Sequence, residues 1–195
     1  MMIESFEKID RCIVLYINDL NFDLFSEFMW LVSGKTTWIP LYVLMVLFLF
    51  KSLNFKTFLL ALGTIFLGVA CADFISVHFF KNVFMRYRPS HHLLLTDQLN
   101  FYEISSGNFY KGGAYGFVSS HAANFSVLIT TFILTSQIKS KLWIYSLISI
   151  CFLICLSRIY LGVHYLSDVI GGCLLGISIG YLLYKLIFIP IQRKL

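Results

Sequence analysis

The apolar residues of this chain fall into five long runs, at about 36–50, 57–79, 120–138, 142–157 and 166–189. Each approaches the ~20 mostly apolar residues that a spanning helix needs. They predict five transmembrane helices, the second continuing as helix to Tyr87. Trp38 stands where an interfacial anchor belongs, and Pro40 falls in a first helical turn, which tolerates it. The stretch before the first run reads differently. Asn18, Asp19, Asn21, Asp23 and Glu27 interrupt Ile13, Leu15, Phe22, Phe25, Phe28 and Met29. That spacing predicts an amphipathic segment, 1–35, lying in the membrane interface. If it crosses instead, it adds a sixth span. Residues 89–117 are polar and rich in glycine, including Gly107, Gly112, Gly113 and Gly116. A loop of this length predicts a functional cap rather than a connector.

Composition agrees with an all-α integral membrane protein forming one domain. Hydrophobic residues make up 58% and charged residues 13%, too few charges to solvate a globular surface. The mean hydropathy is +0.81. A net charge of +5 suits anionic headgroups or substrates. No basic run is interleaved with exposed aromatics, so nucleic acid is excluded as a partner. Cys12, Cys71, Cys151, Cys155 and Cys173 have no metal-site spacing with histidine and read as small core residues. The acidic start, with Glu4, Glu7 and Asp10, does not read as a cleavable leader. Five spans put Lys51, Lys56, Lys139, Lys141, Arg193 and Lys194 on one side, which the positive-inside rule makes cytoplasmic. The long loop, Arg158 and His164 then face outward. Oligomeric state is not legible.

Three polar clusters end on that outer face. In Ser157-Arg-Ile-Tyr-Leu-Gly-Val-His164-Tyr-Leu-Ser-Asp168, charged residues interrupt strongly apolar surroundings, and a charge at membrane depth marks function. His164 and Asp168 are one helical turn apart, so the carboxylate can orient the imidazole. Gly162 permits a turn that brings Arg158 back toward it. The alternative for this segment alone is a salt-bridged cluster joining two helices. A second cluster runs from Lys81 to Arg88-Pro89, with the two cations two helical turns apart. In the third, Val118-Ser119-Ser120-His121 opens a long apolar helix. Ser119 is its expected N-cap, and the free amides of such an end bind phosphate. Three cations, a helix N-terminus and two histidines describe a phosphoryl-transfer site in which one histidine attacks phosphorus and the other protonates the leaving oxygen. With no carboxylate cluster for two metals, catalysis without metal or other cofactor is expected.

At these residues the chain resembles the type 2 phosphatidic acid phosphatase (PAP2) superfamily of integral-membrane lipid phosphate phosphatases. Lys81 to Pro89 fits the family's Lys-x6-Arg-Pro motif, and Ser157 to Asp168 its Ser-Arg-x5-His-x3-Asp motif. The family's Pro-Ser-Gly-His is matched at Ser119 and His121, with Val118 for Pro and Ser120 for Gly. The resemblance implies a PAP2/haloperoxidase-like helical bundle. It also implies that His164 is the nucleophile that becomes a phosphohistidine, Asp168 its orienter and His121 the general acid. Lys81, Arg88, Arg158, Ser119 and Ser120 would hold the phosphate, and water would hydrolyse the intermediate. Small size resembles the bacterial undecaprenyl-diphosphate phosphatase branch, in the plasma membrane with the site facing the periplasm or outside. Undecaprenyl diphosphate thus ranks first among expected substrates, before phosphatidylglycerol phosphate, phosphatidic acid and lipid A phosphates. Phosphoryl transfer to a second lipid, or non-enzymatic binding or transport of an anionic lipid, are the alternatives. Arg86 is expected at solvent or headgroups, with a phosphate-ligand role as the alternative, and Asp73 and His78 are expected to form an interhelical polar pair rather than to act in catalysis.

Overall fold

A computed structural model describes residues 2–20 and 22–195; Met1 and Asn21 lie outside the described residues. The chain is helical apart from the cap. We label its helices α1 (Met2–Asn18), α2 (Asp23–Ser33), α3 (Ile39–Ser52), α4 (Phe55–Phe84), α5 (Ser120–Ser136), α6 (Lys141–Tyr160) and α7 (Leu166–Gln192). Three of them, α4, α6 and α7, are individually long and apolar enough to span a bilayer. The first expected span is shorter than a bilayer: α2 and the chain from Thr36 to Ser52 form a pair bent by 72°. The third, α5, is 17 residues long, about 25 Å at 1.5 Å per residue.

Helix α5 is the axis of the bundle, with Ala122, Ala123, Val127, Thr131 and Thr135 fully buried. It packs flush on α7 because α7 presents Gly172, Gly176 and Gly180 one turn apart. A Cβ at Gly176 would lie 2.3 Å from the Ala123 carbonyl oxygen, and one at Gly172 2.5 Å from that of Ser119. Where lipid gives no hydrophobic drive, such close backbone contact supplies the dispersion energy of helix association. The outer faces keep Phe66, Phe152, Leu174 and Leu186 exposed, as a lipid solvent allows.

Helix α4 is capped by Asn54, whose side chain accepts from the Thr57 amide at 2.9 Å. Its final part widens into a π turn over Ser76–Lys81, a feature found mostly at functional sites. The helix stops at Phe84 rather than reaching Tyr87. Met85 takes a left-handed conformation (φ 44°), and Tyr87 then bridges to Tyr115 in the cap. Lys81 and Arg88 therefore do not share a helix face as expected. Pro89 excludes helix for Arg88, which is extended and donates its amide to the Ala114 carbonyl at 3.0 Å.

The cap, 89–117, holds short 3-10 turns and a hairpin of β1 (Glu103–Ser105) and β2 (Asn108–Phe109). It is stitched to the N-terminal segment. Asn18 Nδ2 donates to the carbonyls of Asn100 (2.8 Å) and Tyr160 (2.7 Å), and its Oδ1 accepts from the Asn100 amide (2.7 Å). The polar residues that give 1–35 its amphipathic pattern thus include inward contacts: Asp10 and Asn18 are buried, along with Val14.

Candidate active site

The three clusters meet at one end of the bundle. Ser119 donates its amide to the Asp168 carbonyl at 2.9 Å, which joins the start of α5 to the start of α7. Asp168 sits in the first turn of α7, and its Oδ2 accepts from the Tyr165 amide at 3.1 Å as a helix cap. The same Oδ2 lies 3.4 Å from His164 Nδ1. On the far side of the ring, His164 Nε2 is 3.0 Å from Arg88 Nη1. A guanidinium only donates, so Nε2 accepts, and the ring proton belongs on Nδ1 facing the carboxylate. The imidazole therefore points a lone pair at a cation, where a phosphate would arrive. His164 is buried. Burial, then Arg88, Arg158 and Lys81, hold its pKa well below 6.5, so the ring is neutral at neutral pH.

Gly162 (φ +66°) makes the turn between α6 and His164. Arg158 precedes it in the last turn of α6, buried. It donates to Ser33 Oγ and, at 2.9 Å, to Tyr110 Oη. Its Nε is buried with no partner among the described residues. Arg88 is fixed by the Tyr115 and Val163 carbonyls at 3.1 and 3.2 Å. Burial, then Arg158, bring its pKa down to about 10, still charged at neutral pH. Lys81 Nζ donates to Ser120 Oγ at 2.6 Å, and Ser76 Oγ lies 2.7 Å from the same hydroxyl. Ser120 begins α5 and is not among the left-handed residues, so a side chain there carries no backbone strain. Ser119 caps α5. His121 follows in the first turn, partly buried, with Arg158, His164, Lys35 and Arg88 as electrostatic neighbours.

All eight expected site residues thus converge, but their supports come from unexpected places. Arg86 is not at solvent. Its Nη1 donates to Asp168 Oδ1 (2.8 Å) and Ser167 Oγ (2.7 Å), and its Nη2 to Asp10 Oδ2 (2.8 Å). Asp10, on α1, also accepts from Ser167 through its amide and hydroxyl. The carboxylate partner of Arg86 lay too far along the chain to be read. Asp73 pairs not with His78 but with Asn124, whose Nδ2 donates to Asp73 Oδ1 at 3.0 Å; His78 stacks on Phe74 instead. Ser33, Tyr110 and Lys35 also enter the site without a sequence signal. Gly116 brings the cap down on it: a Cβ there would be 2.9 Å from Asp168 Oδ2. A cavity of 440 Å³ runs from His121 and Asn124 between α3, α4 and α5, its walls mostly apolar.

The PAP2 superfamily model matches residues 58–191. The lipid A 4'-phosphatase of Porphyromonas gingivalis is 35% identical over 91% of this chain and 72% of its own length. That of Bacteroides thetaiotaomicron is 31% identical over 94% and 79%. In fold, the chain is similar to the PAP2-type phosphatidylglycerolphosphate phosphatase of Bacillus subtilis (TM-score 0.69, 20% identity, 98% of this chain and 88% of that one). It is also similar to Aquifex aeolicus LpxE (TM-score 0.61, 24% identity, 89% and 93%). Fold and relatives define an integral membrane phosphatase of lipid phosphates. The chain belongs to the PAP2 superfamily.

Proposed function

We propose that this enzyme removes the 4'-phosphate of lipid A, or of a closely similar phosphorylated glycolipid, through a phosphohistidine on His164. The observation that carries the chemistry is the neutral, buried imidazole held between Asp168 at Nδ1 and Arg88 at Nε2. Nε2 attacks phosphorus. Arg88, Arg158, Lys81, the Ser119 hydroxyl and the Ser120 amide surround the equatorial oxygens, whose charge they balance. Asp168 stabilises the imidazolium that forms. His121 delivers a proton to the leaving oxygen, and the incoming phosphate offsets the cations around it. Water then attacks the phosphohistidine with His121 as base, releasing inorganic phosphate. A pocket of clustered cations favours phosphate and disfavours a divalent metal, which supports a metal-free reaction.

Two curated relatives named for lipid A 4'-phosphate support the substrate; nothing comparable supports undecaprenyl diphosphate, which ranked first on sequence. The apolar cavity beside His121 offers acyl chains a lateral path from the bilayer, and its volume is within the ~300–1,000 Å³ of ligand pockets. With Lys81, Arg88 and Arg158 of the site set aside, Lys8, Arg11, Lys35, Arg86 and Lys111 lie on its side against seven Lys/Arg on the other, which supports a site facing the periplasm.

The test is phosphate release from a panel of lipid phosphates by purified protein in detergent with chelator, beside His164→Ala. Lipid A 4'-phosphate is expected to be turned over fastest, and His164→Ala to be inactive. Equal release by both proteins refutes the nucleophile, loss with chelator refutes the metal-free reaction, and transfer to an added lipid without free phosphate makes the enzyme a phosphotransferase.

A further inference from the structure

The cavity between α3, α4 and α5 is lined by Met45, Leu49, Ile65 and Val69 along its length, and its polar lining includes Lys35, His121 and Asn124. Asn124 is three residues after His121 on α5, so both face the same way. Beside it, within a spanning helix, α4 exposes Asp73, and an ionisable group at such depth is costly enough to mark function. The Asn124 amide donates to Asp73 Oδ1, which orients its nitrogen toward the carboxylate and its Oδ1 away. That Oδ1 is buried with no partner among the described residues. One buried acceptor, Asn124 Oδ1, therefore stands without a donor at the end of the cavity where His121 lies.

We propose that Asn124, oriented by Asp73, reads the leaving group, its Oδ1 accepting a hydrogen bond from an amide N–H or hydroxyl on the sugar ring that bears the phosphate. The inference rests on the glycolipid reading above and sharpens it. An N-acylated amino sugar carries both kinds of donor on the ring that bears the phosphate. The diacylglycerol of phosphatidic acid and a polyprenyl chain carry neither on the lipid side of the scissile oxygen. A site built to hydrogen-bond a substrate group discriminates strongly against an analogue lacking it, because its own polar atoms are then left unpaired. The pair is a specificity determinant and takes no part in phosphoryl transfer.

The experiment measures kcat/KM for lipid A 4'-phosphate and for dioleoyl phosphatidic acid in mixed micelles, using wild type, Asn124→Leu and the size-conserving Asp73→Asn. The preference for the glycolipid is expected to fall about tenfold or more in Asn124→Leu, and by less in Asp73→Asn. Loss of both activities in equal proportion shows that the pair only ties α4 to α5 and overturns the proposal. A wild-type preference that both variants retain overturns this inference alone. A wild type with no preference for the glycolipid overturns the substrate reading and this inference with it.

Discussion

Replacing Arg86 by glutamine tests how the orienting carboxylate is held. Asp168 is fully buried and has three donors: the Tyr165 amide at 3.1 Å, His164 Nδ1 at 3.4 Å and Arg86 Nη1 at 2.8 Å. The shortest is also the only permanent cation among them. Removing one partner of a fully buried pair costs ~3–5 kcal/mol. The Arg86 side chain is 25% exposed and divides its charge between Asp168 and Asp10, so screening and sharing bring the expected loss to about 2 kcal/mol, or about 30-fold in rate. Because Arg86 acts through Asp168 and not on the phosphate, the loss belongs in kcat, with KM moving less than about threefold. Asp10→Asn should cost less, since Asp10 reaches the site only through Arg86 and Ser167. The double variant should be no slower than Arg86→Gln alone, as residues in one network are not additive. Phosphate-release kinetics on the three proteins decide it. Additive losses, or a loss confined to KM, would refute the chain of contacts from α1 to Asp168.

Folding holds His164 neutral, whereas the unfolded chain takes up its proton near pH 6.5. His164 therefore makes stability highest above pH 6.5 and lower as pH falls toward the folded value; thermal melts in detergent between pH 7.5 and 5 should fall less steeply for His164→Gln, and parallel curves would refute this. Tyr110→Phe removes one of two hydrogen bonds on Arg158 and should raise KM about fivefold, for a bond worth ~1 kcal/mol. Gly176→Ala places a Cβ 2.3 Å from a backbone oxygen that cannot yield, whereas Gly63 has nothing within 4 Å; the first should cost ~1–3 kcal/mol by detergent unfolding and Gly63→Ala nothing.

What was legible in the chain and what was not divide along physical lines. The apolar runs predict spans because a bilayer demands continuous hydrophobicity, and the charged residues inside them stand out because such positions are costly. His164 and Asp168 were readable as a pair because a helix turn separates them. Arg86 and Asp10 were not, because they are 76 positions apart and a polar residue in an amphipathic helix looks the same whether it meets water or a buried guanidinium. The end of α4 was misread by three residues for a related reason: Pro89 signals the break, but the left-handed Met85 answers to pairing with Tyr115, far along the chain. Asp73 found Asn124 instead of His78 because the π turn and the crossing with α5, not local spacing, decide which side chains meet.

The same contacts bear on the proposed phosphate-monoester substrate. Lys81, Arg88 and Arg158 gather around the neutral His164, and Arg86 binds Asp10 and Asp168 behind it. With Lys35 near His121 and Asp73 near Lys81, five cations against three carboxylates leave an excess of two positive charges at the site. Arg86 is committed to Asp10 and Asp168, so the excess resides on Lys81, Arg88 and Arg158, the groups nearest the imidazole. A phosphomonoester above its second pKa of ~6 carries the two negative charges that close this balance. A phosphodiester carries one and leaves a buried cation uncompensated, a penalty set by desolvation rather than by shape. Asp10, Asp168 and Arg86 together carry one net negative charge, so Arg86 keeps the two carboxylates from offsetting more than one of the three cations around the imidazole.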